Sequence, residues 1–531
     1  MIILETNIFP NKMSNNNTSN KRIAQNTLFL SIRMVIVLGI NLFTTRIVLQ
    51  ALGVVDYGVY NVVCGFVAMF AFLNTSMSNG IQRFFNFEYG KNGVEGANKV
   101  FCTAVYIQAM LAIIIVVLVE PFGLWYLHNK MVIPADRMIA AQWIFQLAIL
   151  TFVIGIMSSP FSASVTAHER MDFYALISIM DAVFKLAIAY VVLVVTRGDR
   201  LILYAVLQAG ISVVNITIYY FYCKKRFKEI HFHFGLDKKM FKNMLGFSGW
   251  NIFGTFSKVM ENQGLNLVLN FFFGPVVNAA RGVAVQVNGA VRSFVSNITI
   301  PVRPQVVQSY ASGNVNRALN LTFSVSKITS VIVVMLAIPI CLEIDYILHL
   351  WLGENVPDHT AAFSVLVIAT TLFNSLHSSL SGIVHATGIM KKYQLICSII
   401  QLASIPISIV LIKLFQIPEI AFFVVFVLSI FMLLAGLLIV KQLVCLDIKK
   451  YLLRVLLPIL LMVSLSLLVV IPLHLAIGNN IIRLIVVTFT TFILVVIIAY
   501  FVVFEKKEKE MVFQMINSMI RNFKNNNQKT V

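Results

Sequence analysis

From about residue 27 the chain alternates between long apolar stretches and short polar connections, and it does so fourteen times. The stretches lie near 27–49, 58–80, 100–119, 139–158, 173–195, 201–222, 246–272, 276–300, 319–342, 361–382, 394–413, 419–440, 455–472 and 481–504. Each approaches the roughly 20 residues that an α-helix needs to cross a hydrocarbon core of about 30 Å. The pattern predicts an all-α polytopic membrane protein of about 14 transmembrane helices.

The connections alternate in charge. Of the 41 Lys and Arg, 28 fall in one alternate set: the N-terminus, 81–99, 159–172, 223–245, 301–318, 383–393, 441–454 and the tail from 505. The opposite set holds only Lys130, Arg137, Arg197 and Arg200, and its loop 343–360 has four acids and no base. Basic connections stay in the cytoplasm. That places both termini there.

Composition agrees: 59% of the 531 residues are hydrophobic and 12% charged, with a mean hydropathy of +0.86. Soluble domains carry about 25% charged residues. The net charge of +19 would suggest nucleic acid in a soluble protein, but here it follows from membrane orientation, so no nucleic-acid partner is expected. The six cysteines are scattered, without a CxxC pair or a cluster with His, so neither disulfides nor a metal site is expected. Nucleotide-binding Gly-Lys loops, HExxH and GxSxG are all missing from the sequence, and no long loop could hold a catalytic domain. The chain reads as a carrier, not an enzyme, and needs no cofactor beyond a coupling ion, H+ or Na+.

The two halves resemble each other. Displaced by 219 to 221 residues, Gly53 falls on Gly274, Tyr89 on Tyr310, Ala97 on Ala318, Ala167 on Ala386, Met171 on Met390 and Tyr174 on Tyr393. Each match sits at an equivalent span boundary. Six spans per copy gives parallel repeats about an axis along the membrane normal, an arrangement that rocks about a central site. The expected organisation is a disordered cytoplasmic tail (1–22), an N-lobe of six spans (23–223), a basic inter-lobe loop (224–245), a C-lobe of six spans (246–441), two further spans (442–504) and a cytoplasmic tail (505–531). The inter-lobe loop reads as a solvated, topogenic segment, with His231 and His233 at its surface.

Nine bases lie within or at the edges of spans: Arg33, Arg46, Lys185, Lys258, Arg281, Arg292, Lys327, Lys413 and Arg483. Asp181 and Glu261 are the only deeply placed acids. Charges in a membrane face a cavity or a partner because burial alone is costly. An excess of interior bases therefore calls for an anionic cargo. On the eighth span, Arg281, Asn288, Arg292 and Thr299 lie within roughly 20° of one line. The seventh carries a second stripe of Ser248, Asn251, Thr255, Lys258 and Asn262, with Glu261 alongside. Lys258 with Glu261, and Asp181 with Lys185, have the spacing of helix-surface ion pairs. Arg33 reads as a cavity residue and Arg46 as a cavity residue or an anchor, while Lys327, Lys413 and Arg483 read as snorkelling side chains. Trp125 and Trp351 sit where an aromatic belt would. Pro301, Pro304, Pro339 and Pro406 suggest bends.

Specific runs carry a family resemblance. LGVVDYGVYNVVCGFVAMFAFLN, from Leu52, resembles the start of polysaccharide-transport flippases of the MOP superfamily. FGPVVNAARGVAVQVNGAV from Phe273, followed by PQVVQSYASG from Pro304, is similar to Wzx-type O-antigen flippases. The likeness runs over roughly residues 21–504. It implies a flippase moving undecaprenyl-diphosphate-linked oligosaccharide between leaflets, built as two six-helix, MATE-like lobes around a cationic cavity with two extra C-terminal helices. The implied partners are this lipid-linked glycan, the membrane lipids and other polysaccharide-assembly proteins. Diphosphate or cavity contacts are then expected from Arg33, Arg46, Lys258, Asn262, Arg281, Asn288 and Arg292, and ion pairing or ion coupling from Asp181, Lys185 and Glu261. Three rivals are a lipid II flippase, a MATE-type multidrug exporter with an acid-rich cavity, and, from another class, a membrane glycan polymerase or ligase.

Overall fold

The computed structural model describes residues 16–168, 170–195, 197–233, 235, 237–505 and 508–509. The expected tails lie outside the described residues up to 15 and beyond 509. Residues 16–22, expected to be disordered, are helical, because the first helix begins at Asn16.

Among the described residues the chain is helical throughout, with no strand. In order the helices are α1 (Asn16–Ala68), α2 (Ala71–Asn129), α3 (Met138–Ala167), α4 (Met171–Val194), α5 (Arg200–Arg226), α6 (Lys238–Val259), α7 (Leu265–Phe273), α8 (Pro275–Ala311), α9 (Val315–Leu342), α10 (Ile344–Leu352), α11 (Thr360–Thr387), α12 (Lys391–Phe415), α13 (Ile420–Val444), α14 (Ile448–Tyr451), α15 (Leu457–Ala476) and α16 (Ile481–Ile498). α1 breaks at Gly53 and α2 at Gly93, so the first 130 residues make three passes rather than two. α6 and α7 are one pass joined by a π-helical turn at Met260–Gly264. Among the described residues eleven helical segments are individually long and apolar enough to cross a membrane. This is a multi-pass membrane protein.

The internal duplication has a backbone signature. Gly53 (φ 76, ψ 171) and Gly274 (φ 78, ψ −172), which the 221-residue displacement superposes, share one unusual conformation. Side chains beyond glycine reach that region only at a cost of about 1–3 kcal/mol. Gly93 (φ 61) and Gly313 (φ 79) recur the same way on the opposite face of the membrane. Gly53→Ala and Gly274→Ala should each lower the detergent-solubilised melting temperature by several degrees, measured by thermal unfolding. A neutral result at both would mean that these corners bend freely.

α1 to α5 pack together, as do α6 to α13, with α15 and α16 laid against α9. Lipid gives helices little hydrophobic reason to associate, so close side-chain packing and buried polar links must hold them. Phe66, Phe145, Ile144 and Val119 fill one N-terminal core; Leu376, Leu380, Ile383 and Tyr451 fill one in the C-terminal half.

Two side chains expected to snorkel are instead sequestered. Lys327 is 1% exposed and binds Glu508 at 2.9 Å, with Glu505 at 3.3 Å. Arg483 and His474 both hold the buried Glu343 carboxylate, at 2.9 and 2.7 Å. α15–α16 is thereby pinned to α9 at both ends, because leaving either charge unpaired in an apolar site would cost more than making the pair. Lys413 is exposed as expected.

The inter-lobe segment also departs from its solvated reading. Between α5 and α6, Phe227, Glu229 and Ile230 are buried. The Asn98 amide on α2 donates to the carbonyls of Glu229 and His231, both at 2.6 Å. His231 and His233 themselves are exposed, as expected. His168 stacks on Phe227 and binds Glu229 at 3.0 Å. Burial works against protonated His168, but hydrogen bonding to Glu229 and the Ser164 carbonyl prevails, so its pKa lies above the ordinary value. A raised folded-state pKa contributes stability below the unfolded value that is lost as pH rises through the folded one. Wild type should therefore lose thermal stability between about pH 6 and pH 8 relative to His168→Gln, whose melting temperature should lack that component. Parallel curves would remove the pair from any strap-holding role.

Candidate functional site

The cavity is built around α8. Its amide-rich start is a joint: Asn278 donates to the Asn266 carbonyl and Oδ1, both at 2.7 Å, and Asn270 donates to Asn278 Oδ1 at 3.1 Å. Asn270 also pairs with the backbone of Val132, and Asn266 with the Asn61 carbonyl at 3.2 Å. Asn266, Asn270 and Asn278 are essentially inaccessible, and buried amides are retained only where they are satisfied. These asparagines weld the α7–α8 corner to the first half of the chain.

Below this joint the π-helical turn at Met260–Gly264 departs from regular hydrogen bonding, as such turns do at functional sites. Arg281 answers it: its guanidinium donates to the Asn262 carbonyl at 2.7 Å and also to Asn262 Oδ1. Arg281 is 7% exposed. Much of its hydrogen-bonding capacity is spent on shaping the wall.

A cavity of about 610 Å³ lies beside these residues, among α6, α7, α8, α11, α12 and α13. Lys258, Asn262, Arg281, Asn288, Arg292 and Thr299 line it together, so both stripes read from the sequence meet there in part. Glu261 lines it as well and is its only carboxylate among the described residues. Lys258 and Glu261 form no ion pair, contrary to their spacing; Lys258 and Arg292 carry no direct side-chain bond among the described residues. Asn288 accepts from Thr371 at 2.6 Å. Thr255 turns to the first half, bonding Ser76 at 2.6 Å, and the side chains of Ser248 and Asn251 lie outside the described residues.

Arg303 completes the set. It falls in the basic connection 301–318 of the sequence reading, which takes Pro301 and Pro304 as bends beside the span. α8 instead runs on to Ala311. Arg281, Arg292 and Arg303 recur every eleven residues, and eleven residues is close to three full turns, so they share one face over about 33 Å. Facing them, α11 presents Thr370, Asn374, Ser378, Ser381 and His385, and α12 adds Gln394 and Gln401.

The other expected site residues lie elsewhere. Arg33 sits over the Tyr174 ring, 4.9 Å from its centroid, within the first half. Asp181 and Lys185 are paired at 2.7 Å, and Asn215 donates to Asp181 at 2.8 Å. Arg46 donates to the Leu350 carbonyl at 3.3 Å. None of the four lines the cavity.

The Arg46 contact is part of a closure between the halves. Trp351, expected in an aromatic belt, donates its indole N–H to the Leu42 carbonyl at 2.8 Å. Thr45 binds Gln286 at 2.6 Å, and Gln286 donates to the Asn41 carbonyl at 2.9 Å. Leu348 and Leu352 of α10 pack with Ile47, Val48 and Tyr57. These contacts lie on the face opposite the basic connections, whereas Arg303, His385 and Gln394 mark the cavity's end on the basic side.

No family model matches the chain, and no characterised protein matches it by sequence. Solved structures do. An inward closed conformation of the lipid II flippase MurJ superposes with a TM-score of 0.67 at 13% identity, covering 90% of this chain and 98% of that one. An inward-facing multidrug resistance MATE family transporter of the MOP superfamily gives 0.62 at 15% identity, covering 79% and 98%. A MOP superfamily transporter from Pyrococcus furiosus, described as having a binding pocket of reversed polarity, gives 0.54 at 15%, covering 79% and 96%. At these identities the likeness shows the fold alone, that of an all-α polytopic membrane protein.

Proposed function

We propose that the chain is a flippase for polyprenyl-diphosphate-linked oligosaccharide, resident in the bacterial cytoplasmic membrane with both termini in the cytoplasm. The observation that carries this reading is the row of Arg281, Arg292 and Arg303 on one face of α8, joined by Lys258, in a cavity whose only carboxylate among the described residues is Glu261. Such a wall attracts a diphosphate through charge-assisted hydrogen bonds. A cationic drug would meet four bases there, which argues against a multidrug exporter. The superposition on the lipid II flippase extends over 90% of this chain against 79% for the exporter, the larger share that two helices beyond twelve would give.

In this reading Lys258, Arg292 and Arg303 bind the diphosphate and Arg281 keeps the π-helical turn in shape beside it. The carboxamides and hydroxyls of α11 and α12 face the sugars. The polyprenyl tail stays in lipid, and rocking of the halves carries the headgroup across. Glu261 is a place for the coupling H+ or Na+. Asp181 and Lys185 act as a local ion pair, while Arg33 and Arg46 hold α1 to its neighbours.

The test is leaflet-resolved flipping in proteoliposomes holding purified protein, comparing an undecaprenyl-diphosphate oligosaccharide with lipid II and with a cationic dye. Movement of the first alone supports the proposal. Movement of lipid II alone assigns the cargo to the rival flippase, and transport of the dye alone overturns the anionic reading.

A further inference from the structure

The cavity wall holds one titratable group that none of the foregoing uses. His377, in the middle of α11, is 8% exposed, and its ring faces Gly436 on α13. The Tyr393 hydroxyl on α12 stands 2.9 Å from His377 Nε2, with the two rings nearly parallel at 9°. Cys397 Sγ lies 3.6 Å from the same nitrogen. Tyr393 has a second side-chain partner in Ser381. A neutral imidazole accepts from Tyr393 at Nε2. A protonated one must donate there, and Tyr393 can then turn its own proton to Ser381. Nε2 is thus furnished with a partner in both protonation states.

We propose that His377 takes up a proton when an anionic headgroup enters the cavity and gives it up when that headgroup leaves, so that cargo binding and protonation of this one side chain are linked. This inference rests on the proposed cargo. The surroundings determine its sign. α6 contributes Lys258, close enough to be felt by His377, with Glu261 beyond it; α8 contributes Arg281, Arg292 and Arg303 along the wall. α12 contributes Tyr393 and Cys397, and α11 itself adds His385 about 12 Å nearer the basic side. Lys327 on α9 is spent on Glu505 and Glu508. α13 offers Gly436 at this height, and α10 meets α11 only at its other end, with Asp345 and His349. In an empty cavity the surrounding cations oppose a charge on His377. A diphosphate among them removes that opposition, and by linkage a protonated His377 must then strengthen diphosphate binding by the same factor.

Binding should be measured by calorimetry on the purified full chain in detergent, with a farnesyl-diphosphate-linked N-acetylglucosamine as probe. Its diphosphate is a diester and does not titrate near neutrality. Wild-type affinity should fall at least tenfold from about pH 5.5 to about pH 8, with proton uptake on binding seen as a dependence on buffer ionisation enthalpy. His377→Gln should lose at least a tenfold share of that pH dependence and about one proton of the uptake, and any uptake left should vanish when Glu261→Gln is added. Tyr393→Phe, which keeps the ring, should retain the slope with a displaced midpoint. A purely structural role for His377 would weaken binding without flattening its pH dependence, and that result overturns the inference. A pH-independent wild type also overturns it while leaving the cargo assignment standing. A wild type that binds no probe at any pH overturns both.

Discussion

Replacing Lys258, Arg292 and Arg303 together by Ala is expected to abolish flipping of an undecaprenyl-diphosphate oligosaccharide, with initial rates in proteoliposomes at least a hundredfold below wild type. Each base offers the headgroup a charge-assisted hydrogen bond, and such bonds contribute about 1.5–3 kcal/mol apiece. Three deletions at one site will not add in full, since neighbouring contacts compensate, but half their sum at the middle of that range, about 3.4 kcal/mol, still exceeds the roughly 2.7 kcal/mol of a hundredfold loss. The folded state should tolerate the change. Lys258, Arg292 and Arg303 are all exposed to the cavity or its mouth, and removing mutually repelling bases relieves strain. Arg281→Ala should behave differently. It strips the Asn262 carbonyl of its partner beside the π-helical turn, so the melting temperature should fall together with activity. Rates in the triple variant within threefold of wild type would take the diphosphate away from this wall.

The second large effect concerns the closure between the halves. In a variant with the native cysteines replaced, Thr45→Cys and Gln286→Cys joined by a short bismaleimide should arrest transport completely, while either cysteine alone leaves it near the parental rate. These side chains are in hydrogen-bond contact, 2.6 Å apart, at the centre of a patch that also includes Trp351 on the Leu42 carbonyl and Arg46 on the Leu350 carbonyl. A rocking carrier must part this patch to release cargo on the far side. Undiminished flipping by the linked protein would show that the halves need not separate there.

The fold was legible in the sequence because membrane insertion leaves a plain record. Apolar length sets the spans, and alternate basic connections set their direction. Even the repeat was readable, since Gly53 and Gly274 fall at equivalent corners where only glycine is comfortable. Arg281, Asn288, Arg292 and Thr299 were recognisable as one face because helical periodicity is a one-dimensional property. What escaped notice depended on distance in space or on context. Arg303 was lost because the apolar stretch gives out near residue 300, whereas α8 continues to Ala311. The polar face of α11 was diluted by the apolar residues that pack its other sides. His377 and Tyr393 lie sixteen positions apart on different helices, and nothing in their spacing joins them. Lys327 and Arg483 looked like membrane-edge bases because their partners, Glu508 and Glu343, lie about 180 and 140 residues away.

The helices that line the cavity have a consequence for how the protein is made. Among the described residues, α6, α7 and α8 do not figure in the segments apolar enough to cross a membrane unaided. A segment carrying Lys258, Glu261, Arg281 and Arg292 partitions poorly into lipid on its own, since each such residue opposes insertion by about 2.5–3.5 kcal/mol near the centre. These helices therefore depend on earlier ones already standing beside them, α2 against α6 and α1 against α8. The first half of the chain is in this sense the scaffold on which the second half enters the bilayer. A ribosome stalled just after α8 should hold a nascent chain whose seventh and eighth passes are retained only when the first six are present.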